Sequence, residues 1–314
     1  MPAQALYLKW RPATFEDVIG QDHITRTLRN ALRQRRIRHA YLFSGPRGTG
    51  KTSTARLLAK AVNCQGEDPA RRPCNECPHC VAVNEGRYLD LIEIDAASHT
   101  GVDDVRDLRD KIAFAPNEGR FKVYIIDEVH RFSGAAFDAL LKTLEEPPPH
   151  AIFVLATTEP DRVPETVRSR CQRFDFGRIA ESDMVARLKM ALTDGMTAED
   201  EALHMIAASA EGSMRDAWSL MDMCLGGEKY LSAENVRLSL GIVSQLFLFD
   251  YLDALGEADA GLALKKTEQL MQGGRDVQVF LRDLSAHLRQ ALTDIQYGRA
   301  PDPYGWTMKI EAGK

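Results

Sequence analysis

The chain has 314 residues, of which 44% are hydrophobic and 27% are charged, a composition typical of a globular protein with about two or three domains. Its net charge of −5 excludes a protein that coats nucleic acid by bulk positive charge, so any nucleic-acid contact must be local. The sequence has no run of about 18 apolar residues and no apolar signal core at its N-terminus, so we expect a cytoplasmic protein without a membrane span.

The segment before residue 178 alternates between helices and short apolar strands. The predicted elements, in chain order, are a helix over 22–36, a strand over 40–44, a helix over 51–62, a loop rich in cysteine and proline over 64–80, a strand over 90–94, a helix over 102–113, a strand over 123–126, a helix over 134–145, and strands over 152–155 and 173–176. Because most of these strands are continuously apolar, the pattern predicts an α/β fold with a parallel sheet covered on both faces.

After Arg178 the pattern becomes helical, and we expect the strands to stop there. Residues 181–240 predict three or four helices with a break at Gly226-Gly227. Residues 244–297 predict further helices with a break at Gly273-Gly274, and the tail from Arg299 to Lys314 is expected to be irregular.

The first chemical motif follows the strand over 40–44 and precedes a helix. It fits the P-loop pattern G-x-x-x-x-G-K-[ST], and its members are Gly45, Pro46, Arg47, Gly48, Thr49, Gly50, Lys51 and Thr52. The glycines let backbone N–H groups surround phosphate oxygens, and the helix N-terminus adds partial positive charge. We expect Lys51 to reach the β- and γ-phosphates of ATP and Thr52 to bind Mg²⁺. A chance glycine-rich turn is the alternative, which the strand and helix on either side disfavour.

Two acids follow the apolar strand over 123–126. A carboxylate at the carboxyl end of a buried parallel strand points into the ligand crevice, so Asp127 is predicted to bind Mg²⁺ through water. Glu128 is predicted to act as the base that orients and deprotonates the attacking water. An acid pair that caps a helix is the alternative. The next strand ends in Thr157 and Thr158, and we favour Thr158 as the residue that senses the γ-phosphate.

Four of the six cysteines fall within 17 residues. They are Cys64, Cys74, Cys77 and Cys80, and their C-x9-C-x2-C-x2-C spacing predicts a tetrahedral structural zinc site. A disulfide pair is the alternative, which the missing secretion signal disfavours. His79 lies between two ligands of a set that is already complete. Cys171 and Cys224 are predicted to be buried apolar residues.

The richest basic stretch of the chain lies in and after the first predicted helix. Its members are Arg26, Arg29, Arg33, Arg35, Arg36 and Arg38. A solvated helix face is the more common role for such a run, and a patch that faces phosphate is the alternative.

Several segments of the sequence together indicate a family. They are KWRP at 9–12, HAYLFSGPRGTGKTS at 39–53, DLIEIDAAS at 90–98, GRFKVYIIDEVH at 119–130, LLKTLEEPP at 140–148, LATTEP at 155–160 and SRC at 169–171. Over about residues 5–240 the chain resembles the AAA+ clamp-loader ATPases of bacterial DNA polymerase III. The resemblance implies an AAA+ nucleotide-binding domain over 1–178 with a zinc module at 64–80, a helical lid domain over 179–240, and a helical collar over 241–314. Only 74 residues follow position 240, so the collar is expected to be shortened or partial.

The resemblance also implies roles for residues outside the P-loop. Arg170 of the SRC triplet would be an arginine finger that acts on the ATP of a neighbouring subunit, and Arg215 would contact the γ-phosphate of its own subunit. The adenine would be enclosed by the segments Trp10-Arg11-Pro12 and Val18-Ile19-Gly20. For the two arginines the alternative is an ordinary surface position, and for the N-terminal segments it is ordinary packing.

The implied function is that of an ATP-hydrolysing motor subunit, which loads a sliding clamp onto primer–template DNA within a hetero-oligomeric pentameric ring. Such a chain uses ATP, Mg²⁺ and a structural Zn²⁺. Although it is a subunit of a DNA-directed DNA polymerase, it is not itself expected to polymerise DNA. DNA contact is expected at Ser98-His99-Thr100-Gly101, which carries less charge than in related chains, and at Arg131. An ATP-binding scaffold with little turnover is the alternative function. A branch-migration helicase is a third, which the SRC triplet and the cysteine insert disfavour.

Overall fold

The computed structural model describes residues 5–98, 112–193, 195–242, 245–272 and 277–296. The chain divides into two compact units, of which the first is Met1–Thr193 with Ala207–Asp222 and the second is Asp194–Ile206 with Met223–Lys314. The nucleotide motifs all fall in the first unit.

The first unit holds the elements that alternate along the sequence. They are α1 (Leu6–Lys9), α2 (Asp22–Arg33), β1 (Ala40–Ser44), α3 (Lys51–Asn63), α4 (Pro78–Asn84), β2 (Leu91–Asp95), β3 (Lys122–Asp127), α5 (Gly134–Glu145), β4 (Ala151–Thr157), α6 (Glu165–Arg168), β5 (Gln172–Asp175) and α7 (Glu181–Met190). Single turns of 3₁₀ helix lie at Phe15–Asp17, Pro69–Arg71, Val129–Arg131 and Pro160–Arg162. Two helices contribute residues to both units, namely α8 (Asp200–Ser209) and α9 (Met214–Leu225).

The five strands form one parallel sheet in the order β2-β3-β4-β1-β5. Successive side chains of a strand point to opposite faces, and β1 shows how both faces are filled. Tyr41 and Phe43 belong to the apolar cluster that contains Leu58 of α3. Leu42 belongs to the cluster on the other face, with Phe137 of α5. The prediction of a parallel sheet covered on both faces is therefore confirmed.

Most predicted elements of the first unit agree with the structure to within two residues. The strand over 40–44 and the helix over 134–145 have the predicted bounds. The first predicted helix is shorter than expected because Arg35 adopts φ 55°, a left-handed conformation that cannot continue an α-helix. The predicted cysteine-rich loop becomes helical at Pro78, and the helix predicted over 102–113 lies almost entirely outside the described residues.

The second unit corrects one expectation, because the strands do not stop at Arg178. Its elements are β6 (Thr197–Ala198), β7 (Tyr230–Leu231), α10 (Ala233–Leu240), α11 (Gln245–Gly256), α12 (Ala260–Gln272) and α13 (Val277–Gln296). β6 and β7 pair in parallel, and two-residue strands are too short to show alternation in a sequence. The prediction of three or four helices over 181–240 is confirmed by α7 to α10, and both glycines of the predicted break at 226–227 have positive φ.

The helices α11, α12 and α13 pack around a small core of their own, which contains Leu248, Leu270 and Phe280. The predicted break at Gly273-Gly274 and the irregular tail lie outside the described residues. Among the helices that the structure describes, none is both long and apolar enough to cross a membrane.

Candidate functional site

The P-loop connects the carboxyl end of β1 to the first residue of α3. Two of its glycines are required because other parts of the chain approach them closely. A Cβ atom at Gly45 would lie 2.2 Å from the carbonyl oxygen of Phe176, and one at Gly48 would lie 1.9 Å from Oγ of Ser213. Both glycines also have positive φ, so a residue with a side chain would clash and be strained there. Both positions therefore require glycine.

Lys51 is buried at the start of α3. Its Nζ atom donates to the carbonyl oxygens of Gly45 at 2.8 Å and Pro46 at 2.7 Å. Burial lowers the pKa of Lys51, while the negative charges of Glu128 and Asp127 act in the opposite direction. Lys51 thus lies inside the loop with both predicted acids close enough to affect its charge.

The two halves of the predicted metal–nucleotide site meet at Thr52 and Asp127. The Thr52 hydroxyl donates to Oδ2 of Asp127 at 2.7 Å, which joins the first turn of α3 to the end of β3. Glu128 follows with φ 49°, and its N–H donates to Oδ1 of Asp127 at 3.0 Å. A hydroxyl and a carboxylate this close offer the oxygen ligands that Mg²⁺ prefers, so the residues present fit that ion.

Glu128 is held by side chains from the neighbouring strand and from its own turn. The hydroxyl of Thr158 donates to Oε2 of Glu128 at 2.9 Å. Nδ1 of His130 lies 3.3 Å from the same oxygen, and Nε2 of His130 lies 3.1 Å from Oε1 of Glu159. Thr157 is fully buried instead, with its hydroxyl 3.0 Å from Nδ1 of His130. Of the two threonines, Thr158 is the one that contacts the acid.

A pocket that is open to solvent lies beside the P-loop. Its lining is Tyr7, Trp10, Arg11, Pro12, Asp17, Val18, Ile19, residues 47–53, Asp127, Glu128, Ile179, Arg187, Met214, Arg215 and Trp218. The N-terminal residues predicted to enclose the adenine line this pocket except Gly20. Gly45 and Pro46 lie outside the lining, where their carbonyls accept from Lys51.

Aromatic residues from both ends of the first unit close one side of the pocket. The rings of Trp10 and Trp218 stack with their centroids 5.9 Å apart. The guanidinium of Arg215 lies 5.3 Å from the ring centroid of Tyr7, within the range of a cation–π contact. Tyr7, Trp218 and His130 could not be predicted from the sequence, because a single aromatic residue or histidine carries no pattern that separates a site from a core.

Arg170 lies at the end of the turn after α6, with its side chain partly exposed. Nη2 forms an ion pair with Oε1 of Glu145 at 2.6 Å, and Nη1 donates to the carbonyl oxygen of Thr166 at 2.7 Å. Arg170 is not among the residues that line the pocket. The guanidinium of Arg170 is therefore held at the surface by Glu145 and by the backbone of Thr166.

The four cysteines of the insert come together in space. Their sulfur atoms all lie within 4.8 Å of one another, so they can hold a metal ion. The N–H groups of Gly66 and Cys74 donate to Sγ of Cys64, and that of Cys77 donates to Sγ of Cys74. Burial raises the pKa of Cys74, but the N–H groups of Cys77 and Glu76 oppose it and contribute to a pKa of about 6. Burial raises the pKa of Cys64 and of Cys80, so their thiolates need a nearby cation, and four thiolates are the ligands that zinc takes in closed sites.

The disulfide alternative is wrong for this cluster, since all six cysteines are free thiols. His79 lies outside the sulfur cluster, with Nδ1 2.8 Å from the carbonyl oxygen of Asn63. Cys224 is buried as expected, whereas Cys171 is only partly buried; burial raises the pKa of Cys171 to about 12.

The residues considered for nucleic-acid contact are mostly exposed. Ser98 and Arg131 are exposed, and His99, Thr100 and Gly101 lie outside the described residues. Arg29 of the basic run pairs with Glu16 at 2.7 Å, and the other five arginines of the run are exposed. These positions permit a solvated helix face and a phosphate-facing patch equally.

Comparison with protein families matches three successive parts of the chain. The profile described as DNA polymerase III, delta subunit, matches residues 20–180. The profile described as DNA polymerase III clamp loader subunit, ATPase lid domain, matches residues 186–225. The profile described as DNA polymerase III subunits gamma and tau domain III matches residues 231–304. The resemblance to clamp-loader subunits is therefore confirmed.

The chain is similar to curated bacterial proteins over most of its length. It is 49% identical over 313 residues to DNA polymerase III subunit tau of Bacillus subtilis strain 168, covering 99% of this chain and 55% of that protein. It is 48% identical over 261 residues to subunit tau of Escherichia coli K12, covering 82% of this chain and 40% of that protein. It is 44% identical over 273 residues to subunit gamma of Buchnera aphidicola, covering 86% of this chain and 74% of that protein. The chain thus spans about half the length of its tau relatives.

Among solved structures, the fold is similar to that of the RuvB Holliday junction branch migration motor of Thermotoga maritima. The TM-score is 0.54 at 19% sequence identity, with 78% of this chain and 79% of that chain covered. At this identity the likeness shows the AAA+ fold alone.

Proposed function

Because the chain belongs to the tau/gamma subunit family of bacterial DNA polymerase III, we propose that it is the ATP-hydrolysing motor of a sliding-clamp loader. ATP binding and hydrolysis by this subunit drive the loading of the clamp onto primed DNA. The observation that carries the proposal is the group formed by Thr52, Asp127, Glu128 and Thr158, which are linked by hydrogen bonds of 2.7 and 2.9 Å beside the P-loop.

Each residue of this group has a distinct task in hydrolysis. Lys51 and the N–H groups of the P-loop bind the phosphates, and Thr52 with Asp127 holds Mg²⁺, which neutralises charge on the phosphates. Glu128 accepts the proton of the attacking water, and the Thr158 hydroxyl orients the Glu128 carboxylate. Arg11, Pro12, Val18 and Ile19 enclose the adenine together with the aromatic side of the pocket.

Two arginines connect the site to its surroundings. Arg215 lines the pocket and senses the γ-phosphate of its own subunit. Arg170 completes the site of a neighbouring subunit, where its guanidinium stabilises charge on the transferring phosphoryl group. To do so it exchanges its ion pair with Glu145 for the neighbour's phosphate. Hydrolysis then depends on assembly, because one active site needs residues from two chains.

The four cysteines bind one structural Zn²⁺, which fixes the loop that contains them. The partners of the chain are the other clamp-loader subunits in a pentameric ring, the sliding clamp and primer–template DNA. Ser98 and Arg131 contribute to DNA contact, and the complex works in the cytoplasm. The chain itself does not polymerise DNA.

The proposal is tested by the rate of ATP hydrolysis of the chain alone and with partner subunits, clamp and primed DNA added in turn. The motor function requires little turnover by the isolated chain and a strong increase on full assembly. Tight ATP binding with no increase in any mixture would favour the alternative, an ATP-binding scaffold. A complex assembled with Glu128→Gln is the internal control. Its residual rate measures the ATP hydrolysis contributed by the other subunits, which is subtracted from the rate of the wild-type complex.

A further inference from the structure

Lys60 is a buried lysine on α3, the helix that begins with the P-loop lysine. Only 2% of its surface is exposed. Its Nζ atom donates three hydrogen bonds, to Oδ1 of Asn75 at 2.5 Å, to Oδ1 of Asn84 at 2.8 Å and to the carbonyl oxygen of Ala13 at 2.9 Å. An ammonium group has three donors, so all of them are satisfied.

The acceptors come from two different parts of the first unit. Asn75 lies in the turn between Cys74 and Cys77, where it adopts φ 62°, and Asn84 is the last residue of α4, the helix that carries Cys80. Ala13 instead belongs to the N-terminal segment, directly after Arg11 and Pro12 of the pocket lining. Lys60 therefore joins the four-cysteine module to the segment that encloses the nucleotide.

The contacts continue from Ala13 to the pocket itself. The N–H of Ala13 donates to Oδ2 of Asp17 at 3.1 Å, and Oδ1 of Asp17 lies 3.3 Å from Nη1 of Arg187. Asp17 and Arg187 both line the pocket. Burial lowers the pKa of Lys60, although negative charge on Cys80, Asp17, Cys64 and Cys74 acts in the opposite direction.

We propose that the four-cysteine module controls nucleotide affinity, and that Lys60 is the positioning residue that connects the metal site to the N-terminal wall of the pocket. When the module holds its metal, Asn75 and Asn84 are fixed, and Lys60 is fixed against the carbonyl of Ala13. When the metal is lost, the turn that carries Asn75 is released and Lys60 loses an acceptor that its buried charge requires. The N-terminal segment is then held less firmly over the adenine.

The inference rests on the proposed function, because it takes the pocket to bind ATP. Coupling between two sites is reciprocal, so bound nucleotide must also strengthen metal binding by the same factor. If the module only stabilised its own loop, metal would not change nucleotide affinity and nucleotide would not change metal affinity.

The test uses the full chain, zinc-loaded or treated with a chelator, and a fluorescent ATP analogue excited by energy transfer from tryptophan. Removal of zinc is expected to weaken binding of the analogue by about tenfold, and zinc addition is expected to restore it. Lys60→Met is expected to weaken binding by a similar factor and to abolish the dependence on zinc. Lys142→Met, at an exposed lysine, is the matched control and should behave as the wild-type chain does.

A second variant separates the contact from the integrity of the metal site. Asn75→Gly removes the amide acceptor but tolerates the positive φ at this position. It is expected to keep its zinc and still bind the analogue several-fold more weakly. Wild-type affinity in zinc-loaded Asn75→Gly, or an unchanged zinc dependence in Lys60→Met, would overturn the inference. Failure of the zinc-loaded wild-type chain to bind the analogue would instead contradict the proposed function.

Discussion

The hydroxyl of Thr158, just after β4, donates a 2.9 Å hydrogen bond to the Glu128 carboxylate, which follows β3. Since β3 and β4 are adjacent parallel strands, their carboxyl ends present the base and its orienting hydroxyl side by side. His130 approaches the same carboxylate oxygen from within the turn. The carboxylate of the predicted base is therefore oriented by its own neighbours, without a contribution from substrate.

The role of Glu128 as the base predicts a loss of turnover without a loss of binding. Glu128→Gln keeps the shape of the side chain and its contact with Thr158 but cannot accept a proton. We expect hydrolysis in the assembled complex to fall by about 10²- to 10⁴-fold. Glu234→Gln, at an exposed helix position in the second unit, is the matched control. Near-normal hydrolysis in Glu128→Gln would remove Glu128 from the mechanism.

The position of Lys51 inside the P-loop predicts a loss of binding. Lys51→Ala removes a charged donor to phosphate, a type of contact that contributes about 1.5–3 kcal/mol, so ATP affinity is expected to fall by roughly 10- to 150-fold. Calorimetric titration with ATP measures the change, and Lys142→Ala is the control. Retained tight ATP binding by Lys51→Ala would contradict the P-loop assignment.

The proposed role of Arg170 predicts an effect that appears only in the assembled complex. Arg170→Ala is expected to bind ATP normally and to lose stimulated hydrolysis by about 10³-fold, because its guanidinium acts on a neighbour's phosphate. Arg71→Ala, whose side chain is 89% exposed, is the matched control. Rates with and without clamp and primed DNA decide the question, and unchanged stimulation in Arg170→Ala would exclude the finger role.

The sulfur cluster predicts about one zinc ion per chain by elemental analysis. Cys74→Ser is expected to lose the ion, whereas Cys171→Ser, outside the cluster, is expected to keep it. Thiols must be deprotonated to bind zinc, so occupancy should fall as the pH is lowered. A zinc-free protein purified without chelator would contradict the four-cysteine site.

Asp90 predicts a specific change in acid stability. Its fully buried carboxylate accepts hydrogen bonds from the N–H groups of Asn117, Glu118 and Gly119 at 2.7–2.8 Å. Burial raises the pKa of Asp90, but these hydrogen bonds outweigh it and lower the pKa below its ordinary 3.8. The stabilisation is therefore present above about pH 4 and lost as the pH falls towards the lowered value.

Asp90→Asn is expected to lose about 2–3 kcal/mol of unfolding free energy at neutral pH and less at acid pH. Urea unfolding over a pH series measures the difference, with Asp138→Asn, at an exposed position of α5, as the control. An equal loss at every pH would show that the charge of Asp90 does not matter.

The sequence predicted best those strands and helices whose pattern extends over several consecutive residues. The strand over 40–44 is continuously apolar because both faces of the sheet are covered, and the helix over 134–145 ends before three prolines. It could not predict the pair β6–β7, whose pairing depends on a partner about 33 residues away rather than on local pattern.

Some residues of the site could be predicted from the sequence and others could not. The P-loop and the two acids were predictable because the ligand fixes the spacing of their motifs. Tyr7 and Trp218 become pocket residues only when the chain brings its N-terminal segment beside α9. Lys60 has no signal in the sequence, since a lysine on a helix is normally exposed, and only its three acceptors distinguish it.

Two requirements conflict at Glu128: its left-handed backbone favours glycine, whereas the proposed base needs a carboxylate. A non-glycine residue with φ 49° costs about 1 kcal/mol relative to its relaxed conformation. Glycine adopts this conformation without that cost, but it would lose the contacts with Thr158 and His130 and has no group to accept a proton. The proposed base therefore occupies a position where the carboxylate is needed although the backbone conformation disfavours a residue with a side chain.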